Sequence, residues 1–174
     1  MKDLVLFRHA KSSWATPGMD DFDRPLSERG RRAAPAMAAW LAGKGWRPDV
    51  VLCSAAVRTQ ETLRLAAPHL DPGPVLVDRR LYLASAATLL RHVEALDDAY
   101  ARALVIAHNP GLELLAQDLD RGDGPASEAL AGKFPTAAMA WFRSDSDTWR
   151  AFTEARVALV AFRTPADLER PGAD

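Results

Sequence analysis

The apolar residues of this chain gather in short unbroken runs rather than alternating with polar ones. The clearest runs are residues 4–7, 50–53, 75–77 and 103–107. Apolar stretches of this length, closed off by polar residues, suit parallel strands covered by helices on both faces. The segments between them carry helical spacing. In 27–41, Ser27 is placed to cap a helix whose apolar stripe includes Ala33, Ala36, Met37 and Trp40, with Gly43 and Gly45 following to end it. Residues 57–67 predict a second helix stopped by Pro68. Residues 85–96 predict a third, capped by Ser85 and striped by Leu89, Leu90, Val93 and Leu96, and 111–119 a fourth. Strand and helix thus alternate four times, which predicts a three-layer α/β fold with a mostly parallel sheet flanked by helices.

The pattern changes after residue 119. Residues 120–133 are rich in glycine, alanine and charge, and read as a loop with a short helix. Residues 135–143 and 149–162 read as two strands joined across Arg143-Ser-Asp-Ser-Asp-Thr148, a C-terminal hairpin at a sheet edge. No repeat or linker interrupts the chain, so one domain over 1–174 is expected, with a short frayed tail at 168–174.

Composition narrows the classes. Lys and Arg total 22 against 23 for Asp and Glu, a net charge of −1, so the whole molecule offers no electrostatic case for nucleic acid. A local positive pocket stays open. The single cysteine, Cys53, permits no internal disulfide and fits no cysteine metal pattern; inside an apolar run it reads as core filler. The N-terminal apolar run is too short for a membrane span or a signal-peptide core, so the expectation is a cytoplasmic protein without a membrane partner.

In a parallel sheet, ligands bind beyond the carboxyl ends of the strands. Those positions hold Arg8 and His9, then Ser54 and Arg58, then Asp78, then His108 and Asn109. Two histidines therefore follow different strands, accompanied by two arginines. Guanidinium forks match phosphate oxygens, and a neutral imidazole is a competent nucleophile. Helices starting after Ser54 and Pro110 would add N–H groups and a favourable dipole. Three readings compete. Each histidine could simply close a strand. His9, His108 and a carboxylate could bind zinc, against the repulsion of the adjacent arginines. Or the four residues together could hold a phosphoryl group without metal or cofactor. His69 and His92 follow no strand and read as structural. Arg29, Arg31 and Arg32 read as a charged outer face, with contact to an acidic phosphoprotein as the sharper alternative.

Four motifs together resemble a known family. Leu6-Phe7-Arg8-His9-Ala10, Asp23-Arg24-Pro25-Leu26-Ser27-Glu28-Arg29-Gly30, Cys53-Ser54-Ala55-Ala56-Val57-Arg58-Thr59-Gln60-Glu61-Thr62 and Ala107-His108-Asn109-Pro110 are similar to the histidine phosphatase superfamily, in particular its small SixA-like branch. The resemblance implies a phosphoglycerate-mutase-like fold and a metal-independent phosphohydrolase. His9 would be the nucleophile, phosphorylated and then hydrolysed. Arg8, Arg58 and His108 would bind the phosphoryl group. The SixA-like branch implies phosphohistidine on a signalling protein as substrate. A small-metabolite phosphatase, a mutase of the same superfamily, and a phosphoprotein-binding module without turnover are the alternatives. The partner is then a phosphorylated protein or a small phosphorylated substrate; oligomeric state has no signature in the chain.

Two departures stand out. Ala10 occupies the family's usual glycine position, which is harmless only where the backbone avoids positive φ. The glutamate that many relatives place near the third strand as general acid has no counterpart. Asp78 is the candidate there, and Asp20, Asp21 or Glu113 could approach in space instead. Before the first helix, Pro25 restricts Arg24 to an extended conformation, a rigid lead-in that could hold Asp23 or Arg24 near the pocket; Lys11 could add positive potential, and Trp14 could line the mouth or cover the sheet edge.

Overall fold

In a computed structural model that describes residues 1–170, six strands form one sheet in the order β3-β2-β4-β1-β5-β6. The strands are β1 (Lys2–Arg8), β2 (Val50–Ser54), β3 (Val75–Asp78), β4 (Arg102–Ala107), β5 (Met139–Ser144) and β6 (Val157–Arg163). The helices are α1 (Glu28–Gly43), α2 (Val57–Leu70), α3 (Ala86–Glu94), α4 (Gly111–Leu119), α5 (Pro125–Gly132) and α6 (Pro165–Leu168). β1 to β4 run parallel, and β5 and β6 pair antiparallel at one side.

Leu4 to Phe7 and Ala103 to Ala107 are fully buried at the centre of the sheet. Alternate residues of β1 face opposite layers. Leu4 and Leu6 pack with α3 and α4 through Leu89, Val93, Leu112 and Leu115. Val5 and Phe7 pack with α1 and α2 through Met37, Leu41, Leu63 and Leu70. This two-sided burial is why the central strands read as unbroken apolar runs. Ser27 and Ser85 cap α1 and α3, accepting from the amides of Gly30 and Thr88.

Several expectations are corrected. Pro68 does not stop α2: the helix runs on to Leu70, which is buried, and ends where Asp71 turns left-handed at φ 44. Proline removes one intrahelical bond near the end of the helix, and burial of Leu70 outweighs it. β3 is not covered on both faces. Val75, Leu76 and Val77 are 41%, 47% and 49% exposed, because β3 is the sheet edge. The C-terminal strand pair exists at the edge, but β6 begins only at Val157. Trp149 and Phe152 instead stack at 5.7 Å inside the core, with the Trp149 indole donating to the Tyr100 carbonyl. A spacing of three suits a turn, not a strand. Leu168, expected in a frayed tail, ends α6 and packs against the core; residues 171–174 of that tail lie outside the described residues.

One glycine matters for the site. Gly30, in the first turn of α1, lies so close to the loop after β1 that a Cβ would overlap the Lys11 carbonyl. That loop also accepts there: Ser27 N–H and Oγ both donate to the Lys11 carbonyl. Gly30→Ala is expected to cost roughly 1–3 kcal/mol by overpacking. Gly43→Ala, where nothing lies within 4 Å, is the control and should be neutral or stabilising. Urea unfolding of both variants checks the contrast; equal stability of the two would contradict the close approach.

Candidate active site

The register of the sheet assembles the site. Arg8 pairs with Ala107, so the next residues, His9 and His108, stand side by side with ring centroids 5.2 Å apart. β2 lies on the far side of β4 with Cys53 opposite Ile106, which brings Ser54 alongside; its hydroxyl is 2.7 Å from His108 Nε2. Arg58 follows in the first turn of α2, and its Nε donates to His9 Nε2 at 3.3 Å. α2 and α4, the two helices that open here, both lack a side-chain cap. Their positive ends therefore lie at the carboxyl side of the sheet, with Glu113 standing in the first turn of α4. Arg8, His9, Arg58 and His108 line one cavity of about 470 Å³, together with Lys11, Ser12, Trp14, Asp21, Arg24, Leu83, Asn109 and Thr136.

The protonation of His9 follows from its partners. Its Nδ1 is 2.7 Å from the Ala10 carbonyl, which can only accept, so Nδ1 carries the proton. Nε2 therefore presents its lone pair to the cavity, facing the Arg58 N–H. Burial, then the positive charges of Arg58, Arg8 and Arg24, push the His9 pKa down to about 4, against the opposing pull of the Ala10 carbonyl. Burial likewise lowers His108 to about 3, helped by His9 and Arg58. Both rings are neutral at neutral pH. The Ala10 amide donates to Thr62 Oγ1, and Ala10 is not among the residues with positive φ. Alanine therefore fits at this position, and its carbonyl holds the tautomer of the neighbouring histidine.

The loop between β1 and α1 completes the wall. Asp21 sits in a short 3-10 turn that Asp20 caps. The Arg58 guanidinium donates to the Asp21 carboxylate at 3.0 Å and to its carbonyl at 2.6 Å, Tyr82 donates to the same carboxylate at 2.6 Å, and Arg24 does so at 3.0 Å. Desolvation pulls the Asp21 pKa up, but the Tyr82 hydroxyl and the two arginines outweigh it and hold the group below the usual carboxylate range. Arg24 also stacks on the exposed Trp14, 3.4 Å from the ring centroid, and its Nη1 is buried without a partner. Arg8 donates from Nη1 to the Phe134 carbonyl, and its Nε is likewise unpartnered. The lining thus presents four cationic side chains against one carboxylate, in a chain whose net charge is −1. The arrangement can hold a multiply charged oxyanion beside a neutral nucleophilic nitrogen.

The acid candidates separate in space. Asp78 does not reach the cavity. It ends the edge strand β3, three strand spacings or roughly 14 Å from β1, and its carboxylate is bound to the Arg80 amide and guanidinium with His92 at 3.4 Å. Arg80 holds it far below the usual carboxylate range, so it is not a proton donor. Glu113 accepts from Asn109 at 2.8 Å, and Asp20 caps its own turn. Of the four, only Asp21 faces the cavity, and it is ionised. Among the described residues no cluster of three or more His, Cys, Asp or Glu could hold a metal. Cys53 is buried in the sheet, and burial pushes its thiol up to about 12. Sequence reasoning missed Tyr82, whose hydroxyl reaches Asp21 across 61 positions, and Thr136; neither carries a local signal.

A mostly parallel sheet with neutral histidines and guanidinium groups converging at its carboxyl end defines an α/β enzyme of phosphoryl chemistry. Comparison with known proteins specifies the class. The family model for the histidine phosphatase superfamily (branch 1) matches residues 4–82. An uncharacterized protein of Mycobacterium tuberculosis is 34% identical over 161 residues, spanning 91% of this chain and 99% of that one. The fold superposes on a proposed phosphohistidine phosphatase SixA of Nakamurella multipartitia with a TM-score of 0.83 and 29% identity, over 94% of this chain and 96% of the other. It also superposes on the protein histidine phosphatase SixA complexed with tungstate, with a TM-score of 0.77 and 24% identity, over 95% and 99%; at that identity the likeness concerns the fold alone. The chain belongs to the histidine phosphatase superfamily, and it is a hydrolase acting on phosphorylated substrates.

The two depressed histidines set a pH dependence. In the unfolded chain each ring takes a proton near 6.5, whereas the folded rings do so only near 4 and 3. Between these values the unfolded state binds more protons, so stability rises with pH across the window. The contribution is complete above 6.5 and is lost as pH falls through 4 and then 3. Urea midpoints should therefore drop between pH 6.5 and 4 in the wild type, and drop less in His9→Asn, whose side chain takes no proton. An identical pH slope in the two proteins would contradict the depressed pKa.

Proposed function

We propose that this enzyme removes the phosphoryl group from phosphohistidine on a protein, through a phosphohistidine intermediate at His9. The observation that carries this reading is the neutral His9 Nε2, set among Arg8, Arg58 and His108 in a cavity with no protonated carboxylic acid. His9 Nε2 attacks phosphorus as the bond from phosphorus to the substrate imidazole breaks. The bonding pair leaves on that imidazole nitrogen, and a substrate ring protonated at its other nitrogen departs neutral. Phosphoryl transfer makes the His9 ring cationic, and the Ala10 carbonyl, accepting from Nδ1–H, stabilises that charge. Arg8 and Arg58 offset the charge on the transferring oxygens, and His108 contacts the same group. Water then attacks phosphorus, the bond to Nε2 breaks, and dihydrogen phosphate leaves with neutral His9 regenerated.

The ionised state of Asp21 supports the choice of substrate. An alkyl phosphoester must expel a strongly basic alkoxide, and its departure gains from a general acid. A protonated phosphohistidine does not need one.

The test is phosphate release from a panel containing a phosphohistidine peptide and a sugar phosphate, with chelator present. The phosphohistidine peptide should have the higher kcat/KM. His9→Ala should abolish turnover while keeping the fold, and Arg58→Ala should lower kcat by about 10²–10³. Preference for the sugar phosphate would overturn the substrate assignment, and normal turnover by His9→Ala would overturn the nucleophile. Acid-labile phosphate on His9 that passes to a second substrate hydroxyl would mark a mutase instead. Tight binding of the peptide without release would mark a recognition module.

A further inference from the structure

A second depression, of about 290 Å³, adjoins the phosphoryl cavity. Its polar lining is Arg8, Lys11, Arg29, Lys133, Thr136 and Thr164, and it shares Arg8, Lys11 and Thr136 with the first cavity. Four cations face it and no carboxylate does. Glu28, the chain neighbour of Arg29, is not part of the lining, and Asp167 in the adjoining turn is held in a capping box with Thr164.

Two features argue that this positive charge serves a ligand. The side chains of Lys11, Arg29 and Lys133 have no ion-pair or hydrogen-bond partner among the described residues, although Arg31, two positions from Arg29, pairs with Glu61. Arg29 also stands in the first turn of α1, where the positive end of the helix disfavours a cation. A neutral or acidic residue there would serve the helix better. Lys133, at the C-terminal end of α5, has the ordinary placement for a cation, yet its charge adds to the same depression.

We propose that this depression binds a second negative group on the same substrate, so that the enzyme selects phosphorylated segments carrying an acidic side chain close to the phosphorylated residue. The proposal rests on the reading of the first cavity as the phosphoryl pocket. Arg8, common to both cavities, places the two anions as neighbours. Because the second group does not react, its contact acts equally on ground and transition states and shows in KM rather than kcat.

The test uses phosphohistidine peptides with one Glu moved through the positions flanking the phosphohistidine, each against its Gln counterpart. At one position or more, Glu should raise kcat/KM by about fivefold, through a lower KM, as expected for two exposed charge contacts. The advantage should vanish near 1 M salt, where screening acts within about 3 Å. Arg29→Ala/Lys133→Ala should abolish the Glu preference while hydrolysing phosphoramidate, which has one anionic group, within about twofold of wild type. Equal kcat/KM for Glu and Gln at every position, or a preference that survives the double variant, overturns the proposal. If no peptide is turned over, calorimetric binding of the same pairs decides it. A Glu preference in binding without turnover overturns the catalytic reading and keeps the subsite; equal or absent binding overturns the subsite.

Discussion

The structure depends on one buried cation, Arg58. Its side chain is 3% exposed, and a charge removed from water to that degree must be paired. Asp21 supplies the pairing, and with it the loop after β1 is drawn over the carboxyl end of the sheet. That loop carries Arg24 and Trp14 into the cavity wall. The Arg58 Nε–H points at His9 Nε2, where it favours a lone pair over a proton. A single guanidinium thus anchors the loop and adds to the burial that keeps the nucleophile neutral.

The cation excess around it runs against stability and toward function. Arg8, Lys11, Arg24 and Arg58 crowd one lining whose carboxylate is Asp21, with Glu113 acting on Arg8 from outside it. The same field and the same burial depress His9 and His108, so acid acts directly on the heart of the fold. An anion bound in the cavity would relieve both strains, because its charge offsets that of the cations. The rest of the chain provides the rigidity that such a site needs: two apolar layers clamp β1 and β4, and Thr62 and Gly30 fix the turn after His9 from two helices.

Periodicity exposed the central strands well because their residues are buried on both faces, and it exposed α1 and α3 because serine caps mark their starts. It failed where local pattern and tertiary environment disagree. Val75 to Val77 look like core and lie at an edge. Trp149 and Phe152 look like a strand and fill the core from a turn. Pro68 looks like a terminator and is carried past by the burial of Leu70. Asp78 was placed by its position after a strand, and that rule is blind to which strands lie between it and the nucleophile.

The amino-acid sequence by itself determined the α/β alternation, the candidates Arg8, His9, Arg58 and His108, and the acceptability of a chain without a third-strand glutamate as a question. Each is local: a run, a cap or a residue directly after a strand. Only the tertiary structure decided strand order, and hence that His9 abuts His108 while Asp78 stands apart. It alone brought Asp21 and Thr136 to the cavity, and Tyr82 against Asp21, because their contacts join segments distant in the chain. It also decided the charge states, since desolvation and neighbouring cations are properties of the packed site and not of any one residue.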